Sequence, residues 1–180
     1  MYHEQLNLVL ARYWKAVCMS QSIEHEDQIE REYQKFCEVV GSVQEPILMV
    51  LRAHLLAEHY LERIILLCLE RGDRVIGKAN LTFPQKLTLV NSFDKLEDRF
   101  VQCFRSLNTV RNQCAHELNR TITIADIDRI GIPLGKGYTK LKRDYGDNPW
   151  KLLQMTLVCI CAPIAGVVSS LEDEGIQGPD

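Results

Sequence analysis

The stretch PILMVLRAHLLAEHYLERIILLCLERG (Pro46–Gly72) carries the clearest structural signal in this chain of 180 residues. Proline suits the first turn of a helix and glycine commonly follows the last turn, so these two residues bracket a long predicted helix. Apolar side chains recur within it at helical spacing. We therefore predict an all-α protein that is organised around this helix.

Helical spacing also dominates the rest of the chain, and no segment shows the alternation typical of a strand. The further predicted helices cover residues 4–19, 23–40, 82–93, 94–118, 124–130 and 148–171. Thr82, Asp94 and either Thr121 or Thr123 are candidate N-caps, because their side chains can accept hydrogen bonds from the free N–H groups of a first helical turn.

Composition indicates one soluble globular domain, since 46% of the residues are hydrophobic and 25% are charged. We predict that residues 1–42 form an N-terminal helical extension, that 44–171 form the core and that 172–180 form a tail. RVIGKAN (74–80) and the glycine-containing stretch 131–148 are predicted loops. The net charge of −3 excludes a protein-wide cationic field, so any nucleic-acid contact needs a local patch.

The cysteine pattern and the termini favour a cytoplasmic protein. The chain has seven cysteines, an odd number, without a CxxC pair, which indicates reduced thiols and argues against a zinc site. The N-terminus MYHEQLNLVLARYW is too polar for a signal peptide. Leu152–Val168 is shorter than the roughly 20 residues that span a bilayer, so a buried helix is expected. We predict no cofactor, no metal and no membrane contact.

A second stretch, RNQCAHEL (Arg111–Leu118), places charge inside a predicted helix. At about 100° per residue, Arg111 falls within about 60° of Leu107, the centre of the apolar face. The row that contains it reads Phe100, Phe104, Leu107, Arg111, Cys114 and Leu118. An arginine at such a position is costly unless it is paired or functional.

Two acids show the same pattern in the Pro46–Gly72 helix. Glu58 and Glu62 lie between apolar residues that share one face, namely Leu51, Leu55, Ile65, Leu66 and Leu69. A guanidinium group binds a carboxylate through two parallel hydrogen bonds, so we predict that Arg111 pairs with Glu58 or Glu62. The pattern alone leaves open whether such a pair is structural or functional.

His116 lies about 140° from Arg111 by helical rotation, on the polar face. Asn112 precedes His116 by four residues, so its amide is placed to orient the imidazole ring. The alternative is a solvent-exposed surface histidine. One straight helix cannot bring Arg111 and His116 together, so the helix must end or bend near His116, or a two-fold axis must bring a second copy alongside.

Arg111 to His116 resembles the Arg-Asn-x3-His form of the motif of HEPN-domain proteins, a helical family with many metal-independent ribonucleases. AHLLAEHYLERIILLCL (53–69), LTFPQKLTLV (81–90) and SLNTVRNQCAHEL (106–118) are similar to the family's long early helix, its next short helix and its motif helix. The resemblance covers about 48–118 and the final helix. It implies an up-and-down bundle preceded by two extra N-terminal helices.

The resemblance implies a metal-independent endoribonuclease, either a toxin or a phage-defence effector, that works as a homodimer with its motifs near the shared interface. The implied site consists of Arg111, His116 and Asn112 as catalytic residues and Glu58 and Glu62 as supporting residues. Histidine titrates near neutral pH and arginine can stabilise a phosphorane, so these residue types suit 2′-hydroxyl attack on RNA.

The implied partners are RNA, a second copy of the chain and an antitoxin or other protein. Some family toxins carry a tyrosine two residues after the histidine, where this chain has Leu118, which argues against a nucleotidyltransferase partner. The alternative function is a non-catalytic helical module that binds a protein or a nucleotide, with Arg111 in a structural role.

A basic segment, GKGYTKLKRDYG (135–146), is the other candidate RNA contact. Its cations are Lys136, Lys140, Lys142 and Arg143, interleaved with Tyr138 and Tyr145. Charge and aromatic stacking of this kind suit single-stranded RNA, although a solvated loop gives the same pattern. His54 and His59 are five residues apart and face different directions, which argues against metal binding.

Overall fold

A computed structural model describes Ala11, Trp14 and residues 26–176. Across this part of the chain all regular structure is helical and no strand is present, so the predicted all-α class is confirmed. The predicted helix 4–19 lies outside the described residues, apart from Ala11 and Trp14. The HEPN type of the bundle stays a prediction.

The described residues form eight α-helices. They are α1 (Glu26–Phe36), α2 (Pro46–Cys68), α3 (Gly72–Lys78), α4 (Phe83–Ser92), α5 (Asp98–His116), α6 (Ile124–Gly131), α7 (Lys136–Tyr145) and α8 (Pro149–Ile176). A π-helical turn, Cys37–Gly41, follows α1, and a 3-10 turn, Ile132–Leu134, follows α6. Helix α2 is central, because α8, α5 and α4 all pack against it.

Local sequence explains both ends of α2. The Glu45 carboxylate accepts hydrogen bonds from the backbone N–H groups of Ile47 at 3.0 Å and Leu48 at 2.6 Å, which caps the first turn. The helix ends at Cys68, a little before the predicted end. Gly72 then passes so close to α2 that a Cβ atom there would lie 2.7 Å from the Ile65 carbonyl oxygen. Only glycine allows the chain to turn this tightly into α3.

Two of the predicted N-caps are confirmed. Thr82 precedes α4, and its backbone N–H donates a hydrogen bond to the Gln85 side chain at 2.9 Å. Thr123 precedes α6 and its hydroxyl accepts from the Asp126 N–H at 3.3 Å. Asp94 does not cap the motif helix, since α5 begins at Asp98.

Both predicted loops are wrong. Residues 74–80 fall largely in α3, and the stretch 131–148 contains the 3-10 turn and α7. Helix α7 is amphipathic, and its Tyr138 is buried and donates a hydrogen bond to Asp128 at 2.7 Å. A Cβ atom on Gly131 would lie 2.2 Å from the Tyr138 ring. This glycine therefore makes room for packing rather than breaking the structure.

Helix α8 forms much of the core. Pro149–Gly175 is long and apolar enough to cross a membrane, but 89% of its most apolar window is buried in the fold, as in the core helix of a soluble protein. It continues to Ile176 rather than fading near residue 171, and in this last part Glu172 pairs with Arg63 of α2. The described cysteines form no disulfide, in keeping with the predicted reduced thiols.

Candidate functional site

Helix α5 buries the predicted apolar row only over its first turns. Phe100, Phe104 and Leu107 are buried, whereas Leu118 lies beyond the helix end and is 99% exposed. Arg111 sits between these regions and is half-buried. Its position at the edge of the core places the guanidinium group near the surface of the bundle.

Lys86 of α4, and not Arg111, is the cation that pairs with the acids of α2. The Lys86 Nζ atom lies 2.8 Å from Glu58 Oε1 and 2.6 Å from Glu62 Oε1. Arg111 instead donates from Nη1 to the Asn112 Oδ1 atom at 3.1 Å, and it forms no ion pair with any acid of the described residues. The prediction that Arg111 pairs with Glu58 or Glu62 is therefore wrong.

The reason is that α2 buries a different face from the one that the apolar spacing predicts. Leu55 on that face is 59% exposed, and the helix buries other residues, including Ala53, Leu56 and Tyr60. A helix that carries apolar residues on more than one face does not reveal which face is buried. Glu58 and Glu62 consequently lie at the edge of the core, where α4 can reach them.

Lys86 could have been found by the criterion that selected Arg111. It follows Phe83 by three residues and precedes Val90 by four, so it lies on the buried row of α4. Burial lowers the pKa of Lys86, but the hydrogen bonds and charges of Glu58 and Glu62 outweigh burial and raise the pKa above its usual value. Lys86 therefore stays charged and pairs with both acids, and its single positive charge offsets one of the two negative charges.

A groove of about 390 Å³ opens between α2, the start of α4 and α5. We call it the Arg111 groove. Its lining residues are His54, Glu58, Thr82, Phe83, Pro84, Asn108, Arg111 and Asn112. Three of the predicted site residues, Glu58, Arg111 and Asn112, thus share one concave surface, together with His54 and Asn108, which the sequence analysis did not assign to a site.

His54 is only 3% exposed, and its ring lies against Phe83 with the ring centroids 4.1 Å apart. The His54 Nε2 atom is 3.0 Å from Asn108 Oδ1, and because an amide oxygen only accepts, we assign the proton to Nε2. Burial lowers the pKa of His54; the hydrogen bond to Asn108 offsets part of this effect and the charge of Arg111 adds to it. His54 is therefore neutral at pH 7.

His116 lies apart from the other predicted catalytic residues. It is the last residue of α5, is exposed and does not line the Arg111 groove. Asn112 accepts a hydrogen bond from Arg111, and among the described residues it forms none with His116. The helix ends at His116, as one of the two predicted arrangements requires, yet within one chain the two motif residues do not converge.

The basic segment forms a helix, with some of its charge already neutralised. The four predicted RNA-binding cations, Lys136, Lys140, Lys142 and Arg143, all lie on α7 and are exposed. Lys142 Nζ lies 2.8 Å from Asp128, and Arg143 Nε lies 3.1 Å from Asp144. Tyr138 is 4% exposed, so it cannot stack on a base as proposed from the sequence.

The described residues contain no cluster of three or more His, Cys, Asp or Glu side chains that could hold a metal ion. Comparison of the chain with protein-family models, with curated proteins and with solved structures gives no match. The motif and the Arg111 groove are therefore the two features that bear on function.

Proposed function

We propose that the chain is a HEPN-type, metal-independent endoribonuclease that binds an RNA phosphate in the Arg111 groove. One observation carries this proposal. Arg111 lines an open groove and has no acidic partner of its own among the described residues, because Glu58 and Glu62 are paired with Lys86. A half-buried guanidinium group beside amide donors is suited to a phosphate group.

The proposed reaction needs only side chains. The RNA 2′-oxygen attacks the adjacent phosphorus, the P–O5′ bond breaks, and the products carry a 2′,3′-cyclic phosphate and a 5′-hydroxyl group. Arg111 stabilises the extra negative charge of the phosphorane, and Asn112 hydrogen-bonds to it. His116 accepts the proton of the 2′-hydroxyl group and donates a proton to the departing 5′-oxygen, as an imidazole side chain can in general acid–base catalysis.

Assembly is part of the proposal. His116 lies outside the groove of its own chain, so we propose a homodimer in which His116 of a second copy completes the site. Such an enzyme fits a cytoplasmic toxin or phage-defence effector, and a protein inhibitor would act by covering the groove.

RNA cleavage in EDTA tests the proposed activity. The purified chain should cut a mixed RNA pool and leave 2′,3′-cyclic phosphate ends, and Arg111→Ala and His116→Ala should each abolish cutting. Arg99→Ala is the matched control, because Arg99 is an exposed cation on the same helix that pairs with Glu97. RNA that remains intact with and without divalent metal, together with unimpaired growth on expression, refutes the nuclease.

Subunit mixing tests the shared site. Arg111→Ala and His116→Ala, mixed and allowed to exchange subunits, should regain up to about a quarter of wild-type activity, because half of the dimers then hold one intact groove. Light scattering should report a dimer at micromolar concentration. A monomer, or a mixture as inactive as its components, contradicts the shared site.

The second candidate is a non-catalytic module that binds a nucleotide or a protein partner at the same groove. It is favoured by the position of His116 outside the groove and by the burial of His54, the imidazole that does line it. This candidate predicts nucleotide binding that Arg111→Ala abolishes, without any cleavage of the ligand. Calorimetric titration with nucleoside phosphates distinguishes it from the nuclease.

A further inference from the structure

The hydrogen bond between His54 and Asn108 has no part in the reaction proposed above. It joins α2 to α5 at the bottom of the Arg111 groove, with 3.0 Å between His54 Nε2 and Asn108 Oδ1. A buried imidazole normally satisfies both of its nitrogens. Here the buried Nδ1 atom of His54 has no partner among the described residues. The ring orientation is therefore set by the bond to Asn108 and by packing against Phe83.

This bond determines which end of the Asn108 amide faces the groove. An amide presents an accepting oxygen on one side and a donating N–H2 group on the other. Because Oδ1 is directed at His54, Nδ2 points away from it. Asn108 is half-buried and lines the groove. Its Nδ2 atom donates no hydrogen bond to a described residue, and it is not one of the fully buried polar atoms that lack a partner. The free donor is thus available at the groove surface.

We propose that His54 is a positioning residue that holds the Asn108 N–H2 group toward the groove, and that Asn108 is a second donor, beside Arg111, for an anionic phosphate oxygen of RNA. The inference rests on the proposed function, since it takes RNA phosphate as the ligand. Without the His54 donor the amide can turn by half a rotation and present Oδ1, which repels phosphate. His54 suits this role because its neutral ring still carries the Nε2 proton.

Two substitutions of His54 separate the hydrogen bond from the packing. His54→Gln keeps an N–H donor that can reach Asn108, whereas His54→Leu keeps an apolar side chain against Phe83 and removes the donor. The probe is a fluorescent 2′-O-methyl oligonucleotide of mixed sequence, which lacks the nucleophile and cannot be cleaved. Affinity is measured by anisotropy at low salt, and folding is checked by circular dichroism and thermal unfolding.

We expect His54→Leu to weaken binding about tenfold, the loss of one charge-assisted hydrogen bond, and His54→Gln to stay within about threefold of the wild type. Asn108→Leu should match His54→Leu, and the double variant should be no weaker than either single variant, because both remove the same interaction. If His54→Leu does not fold, a comparison of Asn108→Leu with Asn108→Asp replaces it. The Asn108→Asp variant should then bind the oligonucleotide more weakly than Asn108→Leu does.

Arg111→Ala distinguishes failure of this inference from failure of the proposed function. If Arg111→Ala loses affinity while the folded His54 and Asn108 variants bind within about twofold of the wild type, then the positioning role is wrong and the groove remains an RNA site. If Arg111→Ala binds as the wild type does, or the wild type does not bind the oligonucleotide, the proposed function fails and this inference fails with it.

Discussion

Lys86 and Arg111 lie on the inward rows of neighbouring helices, α4 and α5, but they have different partners. Lys86 is buried and forms ion pairs with Glu58 and Glu62, while Arg111 is half-buried and donates to the amide of Asn112. Glu58 is common to the surroundings of both cations, since it pairs with Lys86 and also lines the Arg111 groove.

The difference shows that a charge in an apolar row does not by itself mark a functional site. Both cations satisfy the same sequence criterion. Lys86 is neutralised within the chain, so it belongs to the fold, whereas Arg111 has its charge available at a concave surface. The useful distinction is whether the protein itself supplies the counter-charge.

Removal of Arg111 should have the largest effect on function and little on stability. We expect Arg111→Ala to lower RNA cleavage at least about 100-fold, because the charge of the phosphorane loses its fixed cation. The melting temperature should fall by no more than a few degrees, roughly as for a surface substitution, since no acid is left unpaired. Cleavage assays and calorimetry check both. A large loss of melting temperature would assign Arg111 to the fold, like Lys86.

Removal of Lys86 should have the opposite profile. Lys86→Met leaves two carboxylates without a cation, but both are about a quarter to a third exposed, so solvent reduces the penalty. We expect the free energy of unfolding to fall by about 2 kcal/mol, below the 3–5 kcal/mol of a fully buried orphaned charge. Urea unfolding measures this change. The triple variant with Glu58→Gln and Glu62→Gln should recover most of it, and no recovery would mean that the lysine stabilises by packing alone.

The basic helix α7 should contribute less than the groove. We expect Lys136→Ala to weaken oligonucleotide binding by no more than about threefold, as for one solvent-screened phosphate contact. Lys142→Ala should have a similarly small effect, because Lys142 is already bound to Asp128. Anisotropy titrations at several salt concentrations check this expectation. A tenfold loss for Lys136→Ala would make α7 a principal RNA-binding surface.

The smallest effect concerns pH and His54. Its pKa in the folded chain is lowered from the ordinary 6.5, first by burial, so the unfolded chain binds a proton at a pH where the folded chain does not. Below 6.5 the unfolded state is therefore favoured progressively, and the free energy of unfolding falls as pH falls. Above 6.5 both states are neutral and this contribution is complete.

Urea unfolding between about pH 5.5 and pH 7.5 measures this slope, above the range in which exposed carboxylates titrate. His54→Gln should remove the part of this slope that His54 contributes. His59→Gln is the matched control, since the pKa of His59 is also lowered, first by burial and then by the charges of Lys35 and Arg63. If the slope survives in His54→Gln and disappears in His59→Gln, the exposed histidine is the source.

Much of the fold follows from local sequence. Pro46 marks the start of α2, and Thr82 and Thr123 cap α4 and α6, because capping bonds join residues only a few positions apart. The sequence predicts loops where α3 and α7 form, because short-range signals do not show which residues from distant parts of the chain pack against these segments. Gly131 indicates a loop by its sequence, whereas in the structure it makes room for the Tyr138 ring.

The candidate site likewise contains residues that the sequence identifies and residues that only the structure reveals. Arg111 and Asn112 stood out in the sequence, because an arginine in an apolar row breaks the helical pattern, and both line the groove. His54 and Asn108 gave no such signal. Their hydrogen bond joins residues that are 54 positions apart, and a spacing rule within one helix cannot detect it.

By itself, the sequence determined the helical class, the starts of α2, α4, α6 and α8, and the presence of a charge in the apolar row of α5, since these depend on spacing along one helix. Only the tertiary structure decided which side of α2 is buried, that Lys86 rather than Arg111 pairs with its acids, and that Arg111 shares a groove with His54 and Asn108. The physical reason is that charge pairing and burial depend on which helices meet, and a helix with apolar residues on more than one face can meet its neighbours on any of them.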